Sequence, residues 1–238
     1  MLCFIGQLTS LAITQTRWHT PVHCPANNDA ACFYCIMKWG KGEVLCSAGE
    51  IPDTFLEPYI NVESDHEQIQ ALADELAQDQ TNPCQTLEAL YDYVREHITY
   101  TRYEAGDRGA VLALEHGTGD CTEFADALLA LSRAAGIPGR FLEGVTYREG
   151  RSTDLGQTKH DWLEAYLPGQ GWVPLDPTWG RFPERRDDYL GRISAGHIIV
   201  TVGRNPSILG GYHYLHYTWP GQDVNLSHEE HWTLSRLD

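Results

Sequence analysis

One stretch of the sequence constrains the fold more than any other, and it runs Gly117-Thr118-Gly119-Asp120-Cys121-Thr122-Glu123-Phe124-Ala125-Asp126. Asp120 and Glu123 have the N-cap and N3 spacing of a capping box, which predicts that a helix begins here. An apolar stripe at helical spacing follows, formed by Phe124, Leu128 and Leu131. Gly136 and Pro138 predict the end of the helix. Cys121 therefore lies in its first turn.

This position gives Cys121 a chemical interest. The positive end of the helix dipole and the unpaired backbone N–H groups of the first turn favour a thiolate over a thiol. A single cysteine on a helix is as often a small buried apolar residue. The helix alone leaves both interpretations open.

Two predicted strands follow, and they supply partners for a reactive thiol. Residues 139–147 are strand-like, and residues 160–167 alternate with period two, with Leu163, Ala165 and Leu167 on the buried face and His160 on the other. Residues 168–171 predict a turn, and the chain returns through residues 172–180, which include Asp176. A cysteine, a histidine to take its proton and a carboxylate to orient the imidazole are the groups that acyl transfer requires.

The spacing of these strands poses a problem of register. A simple two-residue loop at Gly169 and Gln170 would place Leu163 opposite Asp176. His160 and Asp176 would then lie on different faces of the sheet, because opposed residues share a face. Bringing them together requires an offset of one residue, from a bulge or a wider turn.

Four segments together resemble the transglutaminase-like superfamily and occur in its order within residues 60–180: residues 119–125 around Cys121, 135–140, 159–166 around His160, and 171–178 around Asp176. The resemblance implies an α+β, papain-like fold, with the nucleophile at a helix N-terminus packed on an antiparallel β-sheet. It further implies that Cys121 is the nucleophile, His160 the general base and then acid, and Asp176 the orienting carboxylate. The family pattern matches at all three positions.

The implied activity is cysteine-dependent acyl transfer on peptide or protein amides through a thioester. Hydrolysis by a protease or amidase is the favoured outcome, and transfer to an amine, including from glutamine-containing substrates, is the alternative. Cleavage of a glycosyl-amide is a third enzymatic option, and a non-catalytic peptide-binding module on the same fold is the option from another class. An oxyanion hole should include the backbone N–H of Cys121 and one side chain. Tyr100, Tyr103 and His116 are candidates by position.

Elsewhere the sequence predicts supporting elements. Residues 64–67 have a capping-box pattern that opens one helix. Asn82 and Pro83 suit the N-cap and first position of a second helix. Residues 196–202 and 211–217 predict strands that complete the sheet.

Composition bounds the remaining possibilities. The chain has 238 residues, 42 % hydrophobic and 21 % charged, which is typical of a globular protein. The net charge of −16 opposes nucleic acid as a default partner, and no apolar run approaches the length of a membrane span. A domain is expected over residues 50–238, behind a Cys-rich extension at residues 1–49. A cytoplasmic location is expected because no basic segment precedes the apolar start.

No metal or cofactor is predicted. Cysteines and histidines in the extension could form a zinc site, but their spacing is irregular, and unpaired or oxidised thiols are favoured; they are His19, His23, Cys24, Cys32, Cys35 and Cys46. A third interpretation is that Met37 is the natural start. His213 and His216 would face opposite ways on a strand, and His228 and His231 lack further ligands.

Overall fold

The structure is a computed structural model, and it describes residues 53–102, 108–147 and 158–204. The helices are α1 (Glu67–Ala77), α2 (Pro83–His97), α3 (Gly109–His116), α4 (Cys121–Ala134), α5 (Pro177–Gly180) and α6 (Arg186–Tyr189). The strands are β1 (Thr99–Tyr100), β2 (Thr118–Gly119), β3 (Gly139–Thr146), β4 (Lys159–Leu167), β5 (Gly171–Leu175) and β6 (His197–Val202). The predicted N-terminal extension and the predicted strand at residues 211–217 lie outside the described residues.

Four of the strands form an antiparallel sheet in the order β5-β4-β3-β6. α4 packs against β3 and β4, and α1, α2 and α3 pack around α4. The main hydrophobic core fills the space between these helices and one face of the sheet, where Leu163, Ala165 and Leu167 are buried as predicted. The α+β class with a helix on an antiparallel sheet is confirmed.

The two capping signals predicted outside the α4 region have different outcomes. Asn82 caps α2, as predicted, by accepting the Gln85 N–H at 3.1 Å. The capping box predicted at residues 64–67 is wrong, because α1 begins at Glu67 with His66 as its N-cap. Ser64 is buried, and its backbone N–H bonds to the Val62 carbonyl in the preceding turn. The chain therefore becomes helical only after that turn.

The second predicted strand of the hairpin ends early. β5 stops at Leu175, and residues 177–180 form the short helix α5 instead of continuing the strand. Asp176 lies at the junction, where its backbone N–H bonds to the Tyr189 carbonyl at 3.0 Å. The end of the strand thus places Asp176 where a helix begins.

Candidate active site

Cys121 is the first residue of α4, and the sequence around it builds this helix start. The Asp120 carboxylate accepts the Thr122 N–H at 2.8 Å, and the Glu123 carboxylate accepts the Asp120 N–H at 2.9 Å. This is the capping box predicted from the spacing. The reciprocal bonds fix the first turn of the helix and, with it, the position of the thiol.

Two contacts join the start of α4 to β4. The backbone N–H of Asp161 donates to the side-chain sulfur of Cys121, which is a free thiol. The Thr122 hydroxyl donates to the Asp161 carboxylate at 2.7 Å. Because His160 precedes Asp161 in the chain, these contacts hold the thiol beside the strand segment that carries the histidine.

The surroundings of the sulfur determine its charge. Burial raises the pKa of the Cys121 thiol, and the carboxylates of Asp161 and Asp120 raise it further, while the Asp161 N–H opposes them. These surroundings act against the thiolate that the start of a helix favours, because they disfavour negative charge on the sulfur.

His160 and Asp176 meet through the length of one turn. β4 and β5 pair Leu163 with Leu175 and Leu167 with Gly171, which leaves three residues, 168–170, in the turn. Continued for one residue, this register places Asp176 opposite Trp162, on the face that carries His160. The required offset of one residue therefore comes from a turn of three residues and not from a bulge in these strands. The Nε2 of His160 lies 2.9 Å from the Asp176 Oδ2.

Asp176 is fully buried, and both its carboxylate and its backbone carbonyl accept hydrogen bonds. Its Oδ1 accepts the Trp179 N–H at 2.9 Å, which caps α5. The Tyr91 hydroxyl donates to its backbone carbonyl at 3.2 Å, and a Cβ on Gly180 would lie only 1.7 Å from that hydroxyl oxygen. Burial alone would raise the pKa of the Asp176 carboxyl, but the His160 and His197 imidazoles lower it well below its usual range. Asp176 is therefore ionised.

His197 is a member of this cluster that the sequence analysis missed. Its Nε2 lies 3.1 Å from the same Asp176 Oδ2, and its side chain has no exposed surface. Burial lowers its pKa, although the bond to Asp176 acts the other way. The residue lies at the start of β6, and only the pairing of β6 with β3 brings it to Asp176. The sequence gives no local signal for such a contact.

Aromatic rings enclose the two imidazoles. Trp162 and Trp179 lie 5.8 and 5.3 Å from the His160 ring, measured between centroids. Gly144 on β3 pairs with His160, and a Cβ there would lie 2.6 Å from the Trp162 ring. The absence of a side chain at this position gives Trp162 its place in the enclosure. Trp162 is fully buried and Trp179 is half-buried, and the low polarity that they create around the His160–Asp176 contact strengthens it.

The predicted oxyanion candidates differ in their placement. Tyr100 on β1 pairs with Gly119 of β2, two residues before Cys121, and burial followed by the nearness of the Cys121 sulfur raises the pKa of its hydroxyl. Arg181 stacks over the Tyr100 ring at 4.5 Å. His116 is exposed at the end of α3, and Tyr103 lies outside the described residues. Tyr100 is thus the candidate that the structure brings near the thiol.

Among the described residues, one group of side chains could hold a metal ion. It consists of His160, Asp176 and His197, whose ligand atoms lie within 4.8 Å of one another. The hydrogen bonds between these residues already account for their arrangement. The cysteines and histidines considered for zinc in the sequence lie outside the described residues.

Comparison with known proteins gives these features a context. Residues 70–177 match the model of the transglutaminase-like superfamily. The chain is 31 % identical over 145 residues to the uncharacterized protein YebA of Bacillus subtilis, and 33 % identical over 137 residues to the protein-glutamine gamma-glutamyltransferase of Pseudomonas aeruginosa. Each match covers 53 % of this chain and 20 % of the relative. The chain thus spans about a fifth of the length of these relatives.

A solved structure shares the fold. It is described as "a Putative Cysteine Protease from Cytophaga hutchinsonii", with a TM-score of 0.50 and 24 % identity, covering 63 % of this chain and 46 % of that one.

None of the helices in residues 53–102, 108–147 and 158–204 has the length and apolar character that crossing a membrane requires. The cytoplasmic location and the domain limits stay predictions.

Proposed function

We propose that this protein is a cysteine-dependent acyltransferase acting on peptide or protein amides, because residues 70–177 match the model of the transglutaminase-like superfamily. In this proposal Cys121 is the nucleophile, His160 the general base and acid, and Asp176 the carboxylate that orients His160. The observation that carries it is the buried contact of 2.9 Å between His160 and Asp176. His160 lies on β4, and the backbone N–H of the next residue, Asp161, donates to the Cys121 sulfur.

The first half of the reaction forms a thioester. The Cys121 thiol gives its proton to His160 as the sulfur attacks the amide carbonyl carbon. The tetrahedral intermediate then expels the amine or ammonia, which takes the proton from His160 as the C–N bond breaks. Because the surroundings of Cys121 raise the pKa of its thiol, this proton transfer accompanies the attack instead of preceding it.

The second half releases the acyl group. A water molecule gives a proton to His160 while its oxygen attacks the thioester carbonyl. The C–S bond breaks, a carboxylic acid leaves, and the sulfur recovers the proton from His160. The same steps with a primary amine in place of water yield a new amide.

Two further groups serve the tetrahedral intermediate in this proposal. The backbone N–H of Cys121 lies in the first turn of α4, where N–H groups have no partner within the helix. Tyr100 pairs with Gly119, which lies two residues before Cys121. Together they would donate hydrogen bonds to the oxyanion.

Hydrolysis is the outcome that requires the fewest components, because water is the acceptor and no second substrate site is needed. Transfer to an amine is a second candidate. It is supported by the 33 % identity to the protein-glutamine gamma-glutamyltransferase of Pseudomonas aeruginosa, over 53 % of this chain.

Ammonia release from an N-terminally blocked glutaminyl peptide tests the proposal, with and without an added primary amine. We expect activity in the wild type, none above background in Cys121→Ala, and a loss of at least about a thousandfold in His160→Ala. His66→Ala, at the exposed N-cap of α1, is the matched histidine control. A product that incorporates the amine identifies a transglutaminase, and a product in which a carboxylate replaces the glutamine side-chain amide identifies a hydrolase.

Full turnover by Cys121→Ala would overturn the catalytic proposal. Specific binding of the peptide without turnover by either chain would instead indicate the non-catalytic binding module.

A further inference from the structure

We propose that His197 is a positioning residue that holds the Asp176 carboxylate in the orientation in which it serves His160. The inference rests on the triad chemistry proposed above, and it adds a fourth side chain to that arrangement. His197 would act through Asp176 without touching the substrate.

The geometry around the carboxylate supports this role. Oδ2 of Asp176 lies 2.9 Å from Nε2 of His160 and 3.1 Å from Nε2 of His197. Oδ1 accepts the Trp179 N–H at 2.9 Å. Three donors from three different elements, β4, β6 and α5, thus fix both oxygens of one buried carboxylate. Removing one donor would leave the carboxylate group freer to rotate about its side-chain bonds.

The two imidazoles have different surroundings, which separates their roles. The His197 side chain is fully buried, while the His160 side chain retains 6 % of its surface. The Nδ1 of His197 lies 3.0 Å from the Ser194 hydroxyl, which can donate to it when Nε2 carries the proton. Burial lowers the pKa of His197, which favours the neutral ring. A neutral ring with its proton on Nε2 donates to Asp176.

Packing alone does not account for a histidine at this position. Trp162 and Trp179 lie 5.0 and 5.1 Å from the His197 ring, and Tyr189 lies 5.9 Å away, all measured between centroids. A phenyl ring would suit such an aromatic enclosure without burying polar atoms. The imidazole adds the N–H group directed at Asp176.

A metal ion would require a different state of the same atoms. Coordination needs an unprotonated Nε2 on each imidazole, so both N–H···O bonds to Asp176 would have to be lost. The observed distances are those of hydrogen bonds, and Asp176 and His197 have no exposed side-chain surface. We therefore assign the cluster to positioning, and the experiment includes zinc as a probe.

The test compares His197→Phe with His197→Gln. Phe preserves the packing and removes the donor, whereas the Gln side-chain amide can still donate to Oδ2. For ammonia release from the blocked glutaminyl peptide, we expect His197→Phe to lower kcat about tenfold or more with KM unchanged. His197→Gln should stay within about threefold of the wild type. Circular dichroism melting of each variant establishes that the folded protein is being assayed.

Two results would overturn the proposal: wild-type kcat in His197→Phe, or equal losses in Phe and Gln despite intact folding. Tight stoichiometric binding of Zn²⁺ by the wild type, abolished in both variants, would assign a metal-ligand role instead.

A readout without turnover separates this proposal from the proposed function. Long-range ¹H–¹⁵N spectra of the histidine rings report which nitrogen of His160 carries the proton. We expect the Nε2–H form in the wild type and in His197→Gln, and a mixture of tautomers in His197→Phe. An unchanged His160 tautomer in His197→Phe overturns the positioning role even if the chain is active. The predicted change in a chain without turnover would support the positioning role while the proposed function fails.

Discussion

Asp120 and Asp176 are both buried aspartates at helix N-termini, and each carboxylate accepts a backbone N–H of the helix that it precedes. Their acidities nevertheless move in opposite directions. Burial and the neighbouring carboxylates of Glu123 and Asp161 raise the pKa of Asp120 to about 6, although the Thr122 N–H bond opposes them. Burial also acts on Asp176, but two imidazoles lower its pKa well below the usual range.

The comparison teaches that burial and a helix N-terminus do not by themselves determine whether these two aspartates are ionised. The charged groups around each carboxylate make the difference. On the α4 side of the site, carboxylates face one another and the thiol, and each disfavours negative charge on its neighbours. On the sheet side, two N–H donors meet one carboxylate. The site thus favours negative charge on Asp176 and disfavours it on Cys121.

The largest expected effect is the loss of kcat on substitution of Asp176, on the sheet side of the site. Asp176→Asn removes the charge and presents an amide to two N–H donors, so His160 loses the partner that fixes its tautomer. We expect kcat for ammonia release to fall about 10³- to 10⁴-fold. The control is Asp187→Asn, at an exposed aspartate on α6. A variant that retains more than a tenth of wild-type activity would exclude Asp176 from the triad.

The next effect tests how tightly the backbone of Asp176 is held. Gly180→Ala would place a Cβ 1.7 Å from the Tyr91 hydroxyl oxygen, which bonds to the Asp176 carbonyl. We expect the free energy of unfolding in urea to fall by about 2 kcal/mol, as for other overpacked cores. Tyr91→Phe removes the clashing oxygen, so the double variant should recover part of this loss. Strictly additive effects of the two substitutions would contradict the contact.

A smaller effect tests the α4 side through pH. The folded-state pKa of Asp120, about 6, lies above its ordinary value of 3.8. Its contribution to stability is therefore complete below about pH 4 and is lost as the pH rises through 6. Asp120→Asn keeps the cap, and we expect it to match the wild type near pH 4 and to be more stable by about 1 kcal/mol near pH 8. Urea unfolding at both pH values measures the difference.

The opposite sign applies to Asp176, whose pKa is lowered. Its ionisation adds stability above the pKa of the unfolded chain, and this is lost only as the pH falls toward the folded-state value. A higher free energy of unfolding for Asp176→Asn than for the wild type near pH 8, or a lower one for Asp120→Asn, would contradict the difference between the two aspartates.

The smallest effect concerns the thiol itself. Asp161 raises the pKa of Cys121, second only to burial. Asp161→Asn should lower that pKa, and we expect the alkylation of Cys121 by iodoacetamide near pH 7 to become about threefold faster. Mass spectrometry of the peptide that contains Cys121 measures the rate, with Asp187→Asn as the matched control. A slower rate in Asp161→Asn would show that its carboxylate assists the thiolate.

The helix side of the site was predictable because its determinants are local. Asp120, Thr122 and Glu123 are close in sequence, and the capping box follows from their spacing alone. The charge of Cys121 was not predictable in the same way. It depends on Asp161, which lies on β4, 40 residues after Cys121 in the sequence.

The sheet side required information that periodicity does not contain. Alternation assigned Leu163 and His160 to opposite faces of β4, but the face of Asp176 depends on the number of residues in the turn. His197 reaches Asp176 through a register that shifts between Glu143 and Gly144 of β3. Such an irregularity arises from packing between strands, and no short motif near His197 records it.

The three-residue turn at 168–170 has a consequence for how the protein tolerates insertions and deletions. A hairpin loop at the surface normally accepts a change of length at little cost. Here the apolar pairs of β4 and β5, such as Leu163 with Leu175, hold the two strands in register. Deleting one loop residue would either break that pairing or turn Asp176 away from His160. The length of this exposed loop should thus be as restricted in natural variants as the identity of a triad residue.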